Sequence, residues 1–181
     1  MTSEVDARCL ETFPNWLRSL GNDAEAMVDA LNADGTPEAA RRSLAAGLNY
    51  VFKSVDLIPD GIDDIGYLDD AFVLRIASAH AGANGLDLGA NAALQSLAGD
   101  VDLVKGFLGD DYHRLDVYVQ GLKRSAARGR SVDDILTGAG VRADFTSDVK
   151  GFARSYAAPS FGKEEKNLIK LRAFFDAKLP R

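Results

Sequence analysis

The stretch NYVFKSVDLIPDGIDDIGYLDDAFVL, residues 49–74, decides the reading of this chain. On its N-terminal side Thr36-Pro37-Glu38 has the form of a helix start: a hydroxyl N-cap, proline at the first helical position and an acid in the first turn. The helix that follows is expected to run to about Val55, with Leu44, Leu48, Val51 and Val55 on one face. On the C-terminal side Ile65, Leu68, Phe72 and Ile76 step by threes and fours and mark a second apolar face. Pro59-Asp60-Gly61 lies between them as a turn, with proline suited to its second position and glycine to its last. The segment is therefore a helix–loop–helix.

Its loop is crowded with one kind of charge. Asp56, Asp60, Asp63, Asp64, Asp69 and Asp70 fall within fifteen residues, with no lysine or arginine among them. Carboxylates so placed must be spread into solvent, caught by helix N-termini, paired with cations from elsewhere, or neutralised by a metal or a raised pKa. Ordinary roles are available for four: Asp56 as a cap of the turn, Asp60 within it, and Asp63 or Asp64 as N-cap or first-turn acid of the next helix. Asp69 differs, because on a 3.6-residue repeat it projects close to the stripe of Ile65, Phe72 and Ile76, whereas Asp70 falls toward the flank. An inward carboxylate needs backbone donors, a partner such as Arg41, Arg42 or Lys53, or a cation. Capping and ion pairing are the first expectation for Asp56, Asp60, Asp69 and Asp70. The same four are the candidate metal ligands, and an all-oxygen set selects Mg²⁺, Mn²⁺ or Ca²⁺ over zinc or copper. The calcium loop of an EF-hand does not fit: with Asp56 first, Ile58 stands third, Asp63 takes the apolar eighth place, and Tyr67 stands where a bidentate glutamate belongs.

The run Asp56-Leu57-Ile58-Pro59-Asp60, followed by Ile62, Gly66, Tyr67, Leu68, Asp69 and Asp70, resembles the signature of a YkvA-like bacterial family of unknown function. That pattern is Pro-x-Asp-Leu-Ile-Pro-Asp-x-Ile-Pro-x-x-Gly-x-x-Asp-Asp. Two of its prolines are replaced here, by Ser54 and Asp63. Many relatives continue into a strongly hydrophobic helix, which Arg75, Ser78 and His80 interrupt in this chain, so a membrane role does not carry over. The resemblance implies a small helical module, placed here at residues 38–82, and is silent on any reaction.

Outward from this segment, helical periodicity continues to both ends and no sustained alternation marks a strand. Val5, Cys9, Leu10 and Phe13 form a stripe that Pro14 is expected to end or kink, followed by Trp16, Leu17 and Leu20 before Gly21-Asn22. Residues 23–31 are a candidate second helix, closed by Asp34-Gly35. Beyond a glycine-containing break at 82–89, Leu94, Leu97, Val101, Val104 and Leu108 form one stripe and Tyr112, Leu115, Val119 and Leu122 another. Gly109-Asp110-Asp111 between them suggests a helical hairpin. Ser131 with Asp134 resembles a capping box. Phe145, Val149, Phe152 and Tyr156 precede Pro159, and Leu168, Leu171 and Phe175 stripe the last helix. The fold class is all-α, a compact bundle of about seven or eight helices in one domain over residues 1–181, with 89–181 a possible helical C-terminal half.

At 181 residues, 46% hydrophobic and 27% charged, the composition is that of a globular protein rather than a disordered or fibrous one. The single cysteine, Cys9, excludes an internal disulfide and a multi-cysteine zinc site, and fits a reducing compartment such as the cytoplasm. The first ten residues carry Glu4, Asp6 and Arg8 and no apolar core of a secretory signal. No apolar run approaches the roughly 20 residues of a transmembrane helix. A net charge of −6 opposes nucleic-acid binding by the surface as a whole. The basic C-terminal stretch, with Lys163, Lys166, Lys170, Arg172, Lys178 and Arg181 around Phe174 and Phe175, reads first as a docked terminal helix and second as a peripheral membrane anchor.

Neither His80 nor His113 stands in a recognisable arrangement with Cys9 or a serine, and no phosphate loop or nucleophile elbow is present, so the reading leans away from an enzyme. No resident cofactor is expected. The function expected first is a non-catalytic binding or scaffold module whose acidic loop meets a basic protein partner. The alternative is a divalent-metal-binding or metal-dependent protein using the same aspartates.

Overall fold

The computed structural model describes residues 2–54 and 56–181. Val55, expected on the inward face of the helix before the loop, lies outside the described residues. The fold is all-α, with one antiparallel pair of two-residue strands among the described residues.

The N-terminal expectation of a broken helix is corrected: Glu4–Asn32 is one helix, α1, with Pro14 inside it. Ser3 caps it, its hydroxyl accepting the Asp6 N–H at 3.0 Å. Proline inside a helix costs about 3 kcal/mol by local preference. Here Phe13, Trp16, Leu17, Leu20, Ala24, Met27, Val28 and Leu31 form a single buried face running through Pro14 and Gly21, and their shared packing outweighs the local break. Gly21 has its own reason to be small, since a β-carbon there would meet the Ala153 carbonyl oxygen at 3.0 Å.

The second helix, α2, spans Glu38–Tyr50. Pro37, not Thr36, is its N-cap, and Thr36 instead donates its hydroxyl to the Ala30 carbonyl at 2.7 Å, tying the α1–α2 link. After the aspartate-rich loop comes α3, Leu68–Ala83. It is the central helix, packed on α1 and α2 and on three later elements: α4 (Ala92–Gly99), α5 (Val101–Leu108) and α6 (Tyr112–Gly121). Apolar residues surround α3 on nearly every side, which is the mark of an interior helix. The stripe expected to be continuous from Leu94 to Leu108 divides at Asp100, and α4 lies along α3 instead of pairing with α6 in a hairpin.

A tight turn joins β1 (Ala126–Ala127) to β2 (Arg130–Ser131), and α7 (Val132–Thr137) follows at once. Its capping box is present as read from the sequence: Ser131 accepts from the Asp134 N–H, and Asp134 accepts from the Ser131 N–H. Next come α8, Ala139–Ser155, packed on α1, and α9, Glu165–Lys178. Residues from both sides of Gly82 join one buried apolar cluster. At its centre Phe72 of α3 stacks on Phe175 of α9 with ring centroids 5.3 Å apart, and Phe13, Trp16 and Phe107 meet it edge-on.

The basic C-terminal helix is thus docked. Leu168, Leu171 and Phe175 are fully buried, Arg172 pairs with Asp6 at 2.6 Å, and Lys163 pairs with Glu11 at 2.8 Å. Its apolar stripe is occupied by the core and does not face outward. Among the described residues no helix is long and apolar enough to cross a membrane. The residue that most interrupts the apolar run of α3, Arg75, is itself interior. It is 2% exposed, lies 4.0 Å over the Trp16 ring, and reaches Asp100 at 3.0 Å and Asp23 at 3.5 Å.

Candidate metal centre at the start of the central helix

Helix α2 ends at Tyr50 and the chain turns away through bonds from the Val51, Phe52 and Lys53 N–H groups to carbonyls three residues back. The hydrogen-bonded turn after it lies one residue later than expected. Ile62 N–H donates to the Pro59 carbonyl at 3.1 Å, so proline takes the first position and Asp60 the second. Gly66 N–H then returns to the Ile62 carbonyl at 2.9 Å. Gly66 allows that closure, because any β-carbon at this position would strike the Asp60 carbonyl. Asp64 and Tyr67 both adopt left-handed backbone, φ 71° and 68°, and α3 begins at the next residue after Tyr67. Left-handed backbone on a bulky residue costs about 1–2 kcal/mol, held by the surrounding structure.

Several ordinary roles expected for the aspartates are not the ones found. Neither Asp63 nor Asp64 caps α3, whose N-cap is Tyr67. Asp64 instead accepts the Gly162 N–H at 3.2 Å, fastening the loop to the segment before α9. Among the described residues Asp56 caps no turn: it is half-buried and its Oδ1 has no hydrogen-bond partner. Asp70 does not lie on a flank, since it is 1% exposed. The reason is the interior position of α3, which leaves no polar side for its first turn. The apolar run Ala71-Phe72-Val73-Leu74 with Ile76 and Ala77 was the sequence signal for that burial.

Asp69 is fully buried, as its place near the stripe implied. Its Oδ2 accepts from the Tyr50 hydroxyl at 2.5 Å and from the Ile58 N–H at 3.2 Å. Tyr50 in turn accepts the Leu57 N–H at 2.8 Å. Tyr50 was not singled out in the sequence; nothing but its place at the end of α2 marks it. The cationic partners weighed for Asp69 are engaged elsewhere. Arg41 donates to the Ala33 carbonyl, Arg42 pairs with Asp133, and Lys53 lies over the Tyr118 ring.

Three buried oxygens of the segment are therefore left without a donor, Asp56 Oδ1, Asp69 Oδ1 and Asp70 Oδ2, and the Asp69 and Asp70 carboxyls lie within hydrogen-bonding reach of each other. Asp60 approaches from the loop and is itself exposed. One oxygen from each of Asp60, Asp69 and Asp70 lies within 4.8 Å of the other two. Opposite oxygens around Ca²⁺ at about 2.3–2.6 Å stand roughly 5 Å apart, so one such ion can touch all three, and Mg²⁺, at about 2.0–2.1 Å, requires oxygens no more than roughly 4 Å apart. Asp56, the fourth candidate, stands outside this triad.

The electrostatics follow from the geometry. Burial, and then the neighbouring carboxylates Asp69 and Asp60, push Asp56 up to about 7. Burial and the charges of Asp69, Asp60 and Asp56 hold the Asp70 carboxyl well above the usual range. Asp69 is raised by burial too, but the donors Tyr50 and Ile58 oppose it, so Asp69 is the more readily ionised of the adjacent pair. Burial raises Asp60 as well. Each of these shifts favours a proton kept within the cluster, and a cation would take its place.

A family model described as a protein of unknown function, DUF1232, matches residues 40–76. The matched segment begins in α2, takes in the whole acidic loop, and ends inside α3. No curated protein and no solved structure matches the chain.

Proposed function

We propose that this protein is a divalent-cation-binding module in which Asp60, Asp69 and Asp70 ligate one Mg²⁺, Mn²⁺ or Ca²⁺ ion. The observation that carries the reading is that Asp69 and Asp70 each keep a buried oxygen without a donor while one oxygen from each carboxylate lies within 4.8 Å of an Asp60 oxygen. A buried carboxylate oxygen without a donor costs several kcal/mol, and a hard cation removes that cost for both residues at once. Tyr50 and the Ile58 N–H act as positioning groups: by occupying Asp69 Oδ2 they leave Oδ1 to face the ion. Three protein oxygens fill half of an octahedral shell, so the exposed side at Asp60 keeps positions for water or a ligand.

This is the second of the two functions expected from the sequence, divalent-cation binding by the same aspartates, taken in place of the first, a binding or scaffold module whose acidic loop meets a basic protein partner. Asp64, in the acidic loop expected to meet such a partner, is already bonded to Gly162. Calorimetric titration of chelator-stripped protein with Mn²⁺ tests the reading. One site per chain, lost in Asp60→Asn with the circular dichroism spectrum unchanged, is the expected result. Heat that is absent, or equal in Asp60→Asn, removes Asp60 from any cation site.

A further inference from the structure

Beside the triad the surface opens into a groove whose walls carry the opposite charge. A depression of about 460 Å³ is lined in part by Asp60, Tyr67, Arg128 and Arg154. An adjoining one of about 570 Å³ is lined in part by Lys53, Ser54, Asp60 and Arg128. The two share Asp60 and Arg128, so Asp60 stands where the groove meets the carboxylate triad.

The basic residues here are not consumed by ion pairs. Among the described residues the ion-paired arginines are Arg42, Arg75, Arg114, Arg130, Arg172 and Arg181, which leaves the exposed Arg128 and Arg154 without a carboxylate. The other groove carboxylate, Asp148, is paired with Arg130 at 2.8 Å. Arg128 sits at the tip of the β1–β2 turn with φ 51°, followed by Gly129 at 76°. Asn, Asp or Gly suits such a turn position, and arginine takes it at a local cost. Its guanidinium is braced 4.8 Å over the Phe52 ring at the groove wall. On a chain of net charge −6, Arg128 and Arg154 thus stand without a carboxylate at one groove, with Lys53 at the edge of the adjoining depression, and a cation at the triad offsets the charge of Asp60.

We propose that this groove binds a small phosphate-bearing ligand, one phosphate oxygen completing the coordination of the cation at Asp60 while Arg128 and Arg154 hold the others. The assignment rests on the cation site proposed above. Phosphate fits better than carboxylate because its oxygens can bridge a metal ion and two guanidinium groups at once, and because hard cations held by few carboxylates commonly complete their shell with phosphate. The groove volume lies within the range of small-molecule sites, about 300–1,000 Å³, and exceeds a bare anion, so the phosphate is carried on an organic group.

The test is ³¹P relaxation with substoichiometric Mn²⁺ on the full chain, the bound fraction being read separately from the loss of the free-ion EPR signal. The probes are inorganic phosphate and phenyl phosphate. Both are expected to relax at least fivefold faster with the unaltered protein than with Arg128→Asn/Arg154→Gln at equal bound Mn²⁺; asparagine keeps the left-handed turn. Relaxation of inorganic phosphate alone assigns the site to the free ion in place of an organic phosphate. Mn²⁺ that stays free overturns the cation site and this assignment together. Mn²⁺ that binds while the ³¹P rates match those of the double variant overturns the phosphate site alone.

Discussion

The Tyr50 hydroxyl at the end of α2 donates a 2.5 Å hydrogen bond to Asp69 in the first turn of α3, and neither residue has solvent access. Through that contact the two helices fix the loop between them, because the same hydroxyl accepts the Leu57 N–H and the same carboxylate accepts the Ile58 N–H. Tyr50→Phe removes one donor and one acceptor while keeping the ring. It is expected to cost about 1–3 kcal/mol in urea unfolding, since Asp69 and the Leu57 N–H both lose a buried partner. Mn²⁺ affinity falls with it, because Asp69 is no longer held. A Tyr50→Phe protein with unaltered stability and affinity contradicts the positioning role.

Gly66 is where the backbone doubles back on Asp60, and a methyl group there collides with the Asp60 carbonyl. Gly66→Ala is expected to displace Asp60 and weaken Mn²⁺ binding at least tenfold in calorimetry. Because the displaced Asp60 is exposed, the loss of stability without metal is expected within about 1–3 kcal/mol, the usual range for a forced backbone shift.

The pH dependence has a definite sign. Asp56, Asp69 and Asp70 all bind protons more tightly when folded than the ordinary value of 3.8. The folded chain therefore holds more protons than the unfolded one over that interval, and the stabilisation is present below about 4 and lost as pH rises through the folded values. Without metal, stability attributable to this cluster declines from pH 4 to beyond 7, the value to which Asp56 is raised. Cation binding must displace the proton, so Mn²⁺ affinity rises over the same interval, with proton release visible as a buffer-dependent heat. An affinity independent of pH between 5 and 8 contradicts this linkage.

Arg75 tests the interior away from the site. It is 2% exposed and joins Asp100, Asp23, the Ala71 carbonyl and the Trp16 ring. Arg75→Ala leaves Asp23 beside a cavity without its cation, and a loss of about 3–5 kcal/mol in chemical denaturation is expected.

Much of this was legible in the sequence because helical periodicity is local. The capping box at Ser131 and Asp134, the start of α2 near Pro37, and the inward face of Asp69 all depend on residues within one or two turns. What was misread depends on neighbours far along the chain. Pro14 and Gly21-Asn22 have the local form of breaks, and only the packing of α1 against α3 and α8 carries the helix through them. Asp70 was placed on a flank because a stripe was assumed for α3, whereas α1, α2, α4, α5 and α6 surround that helix and leave it no flank. Tyr50 and the cations around the groove belong to segments whose approach to the loop has no local signature; Arg128 and Arg154 lie more than sixty residues from Asp60.

The most direct measurement of the cation site is thermal unfolding of chelator-stripped protein at pH 7.5, with and without Mg²⁺, Mn²⁺ and Ca²⁺, beside Asp70→Asn. At a hundredfold excess over Kd a native-state ligand adds about 2.7 kcal/mol, roughly 5–10 °C for a chain of this length. A shift of that size is expected with at least one of the ions. Asp70→Asn, relieved of a buried carboxyl that must ionise or hold a proton, is expected to be at least as stable as the unaltered protein without metal and to gain nothing from any ion. No shift in the unaltered protein, together with an Asp70→Asn variant that is less stable, contradicts the account and makes these aspartates purely structural.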